Sequence, residues 1–327
     1  MGDFIAAEPL PSTCFTCTRL NSTTFRIVEE DRFGEYPFIY VKVTPRALVL
    51  IDTGCGGEAK EPRVELKRLR DFLEVYPVEE NGDAPLNEGA SKDYVVICTH
   101  CHFDHIGACE QFTDARSCIW ASGFDKTFLS RENLPTSSLS RFLGVETPRY
   151  EIGKWAGDGD CVTYDGEDLG LITYQTPGHV PDELAIWDPH ERVLYVGDSV
   201  YEWAAILFPK EGDLLLYSDS IGKLRRLVKG WSGEGSAERR RVKMACGHVT
   251  LDADAETALA DLDAFLWDVV CGRVEGGGME NIRGEENVLY VREDGRWSIK
   301  GPRRLFDDLK GNQEAMKKLE RRVNEGV

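Results

Sequence analysis

Two kinds of apolar pattern recur along the chain. Short continuous runs at residues 47–51, 94–99 and 242–245 read as strands buried on both faces. Leu66, Leu69, Phe72, Leu73 and Tyr76 fall at helical spacing, which predicts a helix over 62–76 that Pro77 stops. Residues 25–29 and 38–43 flank a turn region around Gly34 and Pro37 and predict an antiparallel pair. Residues 78–93 are polar and rich in turn formers, so an exposed loop is expected there. Further strands are predicted at 117–121, 171–175, 184–187 and 193–196, and a helix is expected to begin at 109–112. Helical spacing returns through Tyr217, Ile221, Leu224 and Val228, and again through Leu259, Leu262, Leu266 and Val269.

The pattern weakens in two places. Residues 123–165 mix Ser, Pro and Gly with aromatics such as Phe124, Phe142 and Trp155. They are expected to form an insertion, either a surface excursion packing its own small cluster or a lid. The tail, 272–327, reads as a C-terminal extension, with a hairpin around Asp294-Gly295 and then a charged helix. Its basic residues, Arg303, Arg304, Lys317, Lys318, Arg321 and Arg322, are expected to be solvated. No repeat interrupts the chain, and residues 1–327 are expected to form one domain.

Charge narrows the class of partner. The chain carries 39 basic and 57 acidic residues, a formal charge of −18. Such a field repels phosphate backbones, so neither nucleic acid nor an anionic membrane is an expected partner, and a small molecule is. The first eight residues place acids where a secretory signal needs positive charge and an apolar run, and Ala6 does not fit a myristoylation signal at Gly2. With no long apolar stretch, a cytosolic protein is expected. Most of the ten cysteines are then expected to be reduced and buried.

Histidine is scarce, and its placement carries the chemistry. Three of the six histidines lie within residues 99–107, Thr-His-Cys-His-Phe-Asp-His-Ile-Gly. His100, His102, Asp104 and His105 are ligand types for zinc and iron, and so dense a cluster is hard to bury without a cation. Cys101 points away from its neighbours in an extended segment and is not expected to be a ligand. Three more strand ends finish in ligand types: Pro177-Gly178-His179, Gly197-Asp198 and Gly247-His248. His190, in a Pro-His-Glu turn, reads as a surface residue.

The series H-x-H-x-D-H, G-H, G-D, G-H, with Asp52-Thr-Gly after a buried strand, resembles the metallo-β-lactamase superfamily over roughly residues 20–270. The resemblance implies an α/β fold, a four-layer αββα sandwich of two mixed sheets flanked by helices. It implies two zinc ions, with iron or manganese as substitutes. One would be held by His100, His102 and His179, the other by Asp104, His105 and His248, with Asp198 bridging and Asp52 orienting the histidine loop. A hydroxide between the metals would attack a carbonyl, and Asp104 would accept its proton.

Within that superfamily the second histidine of the cluster speaks against flavodiiron proteins. The short spacing after His179 leaves no room for the inserted nuclease domain. Tyr201 stands where acyl-homoserine lactonases carry a tyrosine that assists at the carbonyl oxygen, and the apolar run 202–209 reads as a pocket wall or as core. A small lactam or lactone is therefore the favoured substrate, with a fungal-type lactamase as one concrete version. An acyl thioester hydrolase of the glyoxalase II or acyl-CoA type is the alternative. A mono-iron sulfur dioxygenase and a non-catalytic scaffold rank below these.

Overall fold

The computed structural model describes residues 10–233 and 240–325, and the reading of the first eight residues falls outside them. The chain divides into two units. One holds the described residues up to Val96 with Phe103–Ile119 and Pro148–Glu151. The other holds Ile97–His102, Trp120–Thr147 and the described residues from Ile152 on.

In the first unit β1 (Phe15–Arg19), β2 (Thr24–Glu29), β3 (Phe38–Val43), β4 (Ala47–Ile51) and β5 (Asp93–Ile97) lie side by side in chain order. The first four pair antiparallel, with Ile27 opposite Ile39 and Val41 opposite Leu50. β4 is buried along its whole length, as its unbroken apolar run requires. β6 (Ser117–Ser122) starts beside β5, where the Tyr94 N–H donates to the Arg116 carbonyl at 2.8 Å.

Helix α1 (Leu69–Val75) is shorter than the predicted 62–76. The N–H groups of Glu65 and Leu66 donate to the Ser12 carbonyl, which draws Leu66 into a parallel bridge with Thr13 and takes it off the helical path. Residues 78–93 are not simply exposed either. Leu86 and Asn87 are buried, and the Asn87 side chain closes the loop by bonding both backbone groups of Lys92. The one-turn helix α2 (Phe103–Ile106) precedes the predicted start, and residues 109–112 form only a tight 3₁₀ turn.

In the second unit the end of β6 pairs parallel with β7 (Lys154–Ala156). The two short helices α3 (Leu134–Ser137) and α4 (Ser140–Leu143) precede β7. Then come β8 (Asp160–Tyr164), β9 (Glu167–Gln175), β10 (Leu184–Asp188), β11 (Val193–Tyr195), β12 (Ala205–Leu207), β13 (Lys243–Ala245) and β14 (Ala253–Asp254). All but β12 form a six-stranded mixed sheet in the order β14-β13-β11-β10-β9-β8, with β11 and β13 parallel. A four-stranded sheet, β12-β17-β16-β15, joins β12 to β15 (Gly276–Ile282), β16 (Glu285–Val291) and β17 (Ser298–Pro302).

Helices α5 (Leu214–Trp231), α6 (Ala255–Val270), α7 (Arg303–Gly311) and α8 (Gln313–Glu325) complete the unit. Asp213 caps α5 by accepting the N–H groups of Leu215 and Leu216, and Asp254 caps α6 at Thr257. Each such cap contributes about 1 kcal/mol. One apolar cluster takes in Leu224 and Val228 of α5, Leu262 and Leu266 of α6, and Leu309 of α7. Trp187 of β10 stacks on Trp231, ring centroids 4.2 Å apart.

Two expectations change here, and that for 202–209 is narrowed. The stretch 123–165 contains α3, α4, β7 and β8 and is more regular than its composition suggests. The apolar run 202–209 includes a strand, β12, whose Ile206 is fully buried. The predicted hairpin is present as β16 and β17, with Tyr290 opposite Ile299, but Arg322 is not solvated. It is buried, and it donates to both oxygens of Asp263 and to Ser218. All ten cysteines are free, and Cys161 and Cys271 are exposed. No helix among the described residues is long and apolar enough to cross a membrane.

Candidate metal centre

In the first unit the loop after β4 meets the loop that carries Asp104 and His105. The Thr53 N–H donates to the His105 carbonyl at 2.7 Å, and the Gly107 N–H donates to Gly54 at 2.8 Å. The approach is so close that a Cβ on Gly107 would sit 2.4 Å from the Cys55 carbonyl carbon. Asp52, with φ of 65°, turns its carboxylate onto the histidine, Oδ2 to His105 Nδ1 at 2.8 Å. A carboxylate oxygen accepts, so Nδ1 carries the proton and Nε2 keeps its lone pair. That Nε2 lies 3.5 Å from Asp104 Oδ2. Behind the loop, buried Glu29 accepts the N–H groups of Cys55 and Gly57, both at 2.7 Å. Burial pushes its carboxyl up to about 8.

In the second unit β5 runs out into Thr99, His100, Cys101 and His102. His100 Nε2 is 3.0 Å from His102 Nδ1, and His179 Nε2 is 3.2 Å from the same nitrogen. All three rings are buried and meet edge to face. A ring nitrogen has one proton or one lone pair and makes one good hydrogen bond. A shared cation satisfies all three nitrogens at once. The edge of a tetrahedron with zinc–nitrogen bonds of about 2.0–2.1 Å is about 3.3 Å, close to these separations. Asp198 completes a group of four whose ligand atoms lie within 4.8 Å of one another and could hold a metal ion. Its two oxygens face different rings. Oδ2 is 4.0 Å from His100 Nε2, and Oδ1 is 3.5 Å from His248 Nε2.

Two buried acids of the Pro181-Asp182-Glu183-Leu184 turn support this group, and the sequence reading missed both. Glu183 Oε2 lies 3.6 Å from His100 Nδ1, while its Oε1 accepts the Asp198 N–H at 3.0 Å. Gly197 makes room for it, since a Cβ there would fall 2.2 Å from Oε1. Asp182 is bonded by the side chain and backbone of Cys101, and burial pushes it up to about 7. Cys101 therefore faces an acid rather than the histidine nitrogens. The available signal was two adjacent acids leading directly into a strand buried along its whole length. Tyr201 is buried with its ring 6.1 Å from that of His248, and the His190 ring is exposed.

A family model for the metallo-β-lactamase superfamily matches residues 34–230. The chain belongs to the metallo-β-lactamase superfamily. A protein of Aspergillus versicolor described as a putative transcription factor, avaE, is 31% identical over 92% of this chain and 90% of its own length. Human acyl-coenzyme A thioesterase MBLAC2 is 27% identical over 55% of this chain and 63% of its own. Among solved structures, a metallo-β-lactamase family protein from Thermus thermophilus gives a TM-score of 0.55 at 17% identity, covering 79% of this chain and 85% of that one. The shared fold is α/β, with mixed sheets and flanking helices. The superfamily is hydrolytic and metal-dependent, and the histidine and aspartate groups above suit a metal by their donor chemistry.

Proposed function

We propose that this protein is a dinuclear zinc hydrolase that cleaves the acyl bond of a small thioester. The observation that carries the dinuclear reading is the Asp198 carboxylate, each of whose oxygens faces a different histidine. His100, His102 and His179 would hold one ion. Asp104, His105 and His248 would hold the other, and Asp198 would join the two. Asp104 is tied to the first triad by the chain itself, two residues beyond His102. Zinc in these positions would supply a water activated near neutral pH and a Lewis acid for the substrate carbonyl.

The chain's own groups set up that chemistry. Asp52 fixes the tautomer of His105, and Thr99 and Glu183 flank the outer nitrogen of His100. Asp104 would accept the proton released as the nucleophile attacks. The thioester is favoured by the relatives named as acyl-coenzyme A thioesterases, and by a Haemophilus influenzae hydroxyacylglutathione hydrolase, 27% identical over 33% of this chain. A mono-iron dioxygenase would leave Asp198 and His248 spare. The charge of −18 speaks against the DNA contact that the name of the Aspergillus relative suggests.

A lactam or lactone is the second reading, favoured by the packing of Tyr201 beside His248. Its hydroxyl would donate to the carbonyl oxygen, worth roughly 10²-fold in turnover. Tyr201→Phe is expected to cost that factor on a lactone, with an unchanged melting temperature. A loss of folding alone makes the residue structural. The test of the main reading is metal analysis with a substrate panel. About two zinc ions per chain and chelator-sensitive thioester hydrolysis are expected. Less than one metal per chain, or hydrolysis indifferent to chelator, refutes it.

A further inference from the structure

The acidic chain carries a cavity of opposite character. A groove of about 900 Å³ lies between α5 and α8 in the second unit, lined by five cationic side chains and two carboxylates. On α5 its lining includes Leu216, Ser220, Lys223 and Arg226, spaced to share one helix face. The ten steps of helix from Leu216 to Arg226 span about 15 Å.

The groove has a direction. At one end the Asp213 N–H, just ahead of α5, donates to the Gly178 carbonyl, and the Ser220 hydroxyl donates to the Pro177 carbonyl at 2.8 Å. These bonds pin the loop that carries His179. Half-exposed Phe124 and Leu216 and the Pro177 ring give the groove an apolar component. Further along α5, Lys223 bonds the Gln175 carbonyl and pairs with Asp158 at 2.7 Å. Arg226 lies beyond, exposed and with no hydrogen bond or ion pair to the described residues. α8 adds Lys318, which pairs with Asp219 across the groove and with Glu314, both at 3.4 Å, and exposed Arg321. It is anchored by buried Arg322, which shares Asp263 with Arg225 of α5. Moving from His179 towards Arg226, the groove turns cationic.

We infer that this groove binds the phosphate-bearing end of a thioester's thiol carrier, with the uncharged arm of the carrier running past Leu216 and Pro177 towards His179. Guanidinium and ammonium groups recognise phosphate through charge-assisted hydrogen bonds, and Arg226 is available for one. The inference rests on the thioester reading for its choice of ligand, and the experiment separates the two.

The zinc-loaded protein is titrated calorimetrically with coenzyme A, with pantetheine, which has the same thiol arm without phosphates, and with inorganic phosphate. Coenzyme A is expected to bind at least about tenfold more tightly than either. The Arg226→Glu, Arg321→Glu double variant is expected to lose that advantage and keep its melting temperature within about 2 °C, since both side chains are exposed. Coenzyme A binding no tighter than pantetheine, no tighter than phosphate, or equally well to the double variant overturns the inference. Turnover of an acyl-pantetheine by the unaltered protein reads the other question. Hydrolysis without a phosphate-dependent gain in affinity leaves the thioester reading standing and removes the groove. The gain without any hydrolysis does the reverse.

Discussion

The two units solve one problem in different ways. Each must hold a histidine ring so that a chosen nitrogen is offered to a cation. In the first unit Asp52 contacts His105 directly at 2.8 Å, and the loop behind it is braced by a second buried acid, Glu29. In the second unit Asp182 bonds Cys101, and Glu183 stands behind His100 and also takes the Asp198 N–H. The first arrangement divides the work between two carboxylates. The second places His100 and the Asp198 backbone on one acid. A change at Glu183 should therefore reach further than a change at Asp52.

The hardest test of the comparison removes Asp198, the group proposed to join both histidine sets. Asp198→Ala is expected to lower chelator-sensitive turnover by roughly 10³-fold or more and to reduce the zinc content below two per chain. Two zinc ions retained at full affinity would mean that Asp198 bridges nothing. Next in size come the supports. Glu183→Gln and Asp52→Asn are each expected to weaken zinc binding by about 10–100-fold, measured by competition with a chromophoric chelator. Glu183→Gln should be the larger. If Asp52→Asn costs as much or more, the shared support has no special weight.

Legibility in the sequence follows the same division. Asp52 could be read only through the family resemblance that its Asp-Thr-Gly string helps to carry, and the histidines because ligand types gather at strand ends. Glu183 could not, because its partners His100 and Asp198 lie far from it along the chain and only folding brings them to one place. The fold shows the same limit. Ala47–Ile51 is a strand by its own composition, whereas α1 starts late because Ser12, distant in sequence, captures the N–H of Leu66. The groove on α5 was equally hidden. Its basic residues on α8 look like an ordinary solvated face until Arg322 is seen to be buried against Asp263.

The smallest effect concerns Glu29, the brace of the loop that follows β4 in the first unit. Its carboxyl is raised from an ordinary 4.5 to about 8 by burial, and the two N–H bonds offset only part of that cost. A raised folded value means that the folded protein binds a proton the unfolded chain has released. The contribution to stability is fully present below about 4.5 and is lost as pH rises towards and through about 8. Glutamine keeps the neutral state at every pH. In metal-free protein, where zinc loss cannot interfere, wild type and Glu29→Gln should respond alike near pH 4.5. From there to about pH 8 the melting temperature should move steadily in favour of the variant. The opposite trend would mean that Glu29 is ionised in the folded state and that its N–H donors outweigh burial. The brace would then be an anion held by the Cys55–Gly57 backbone, and the first unit would depend on charge as much as the second.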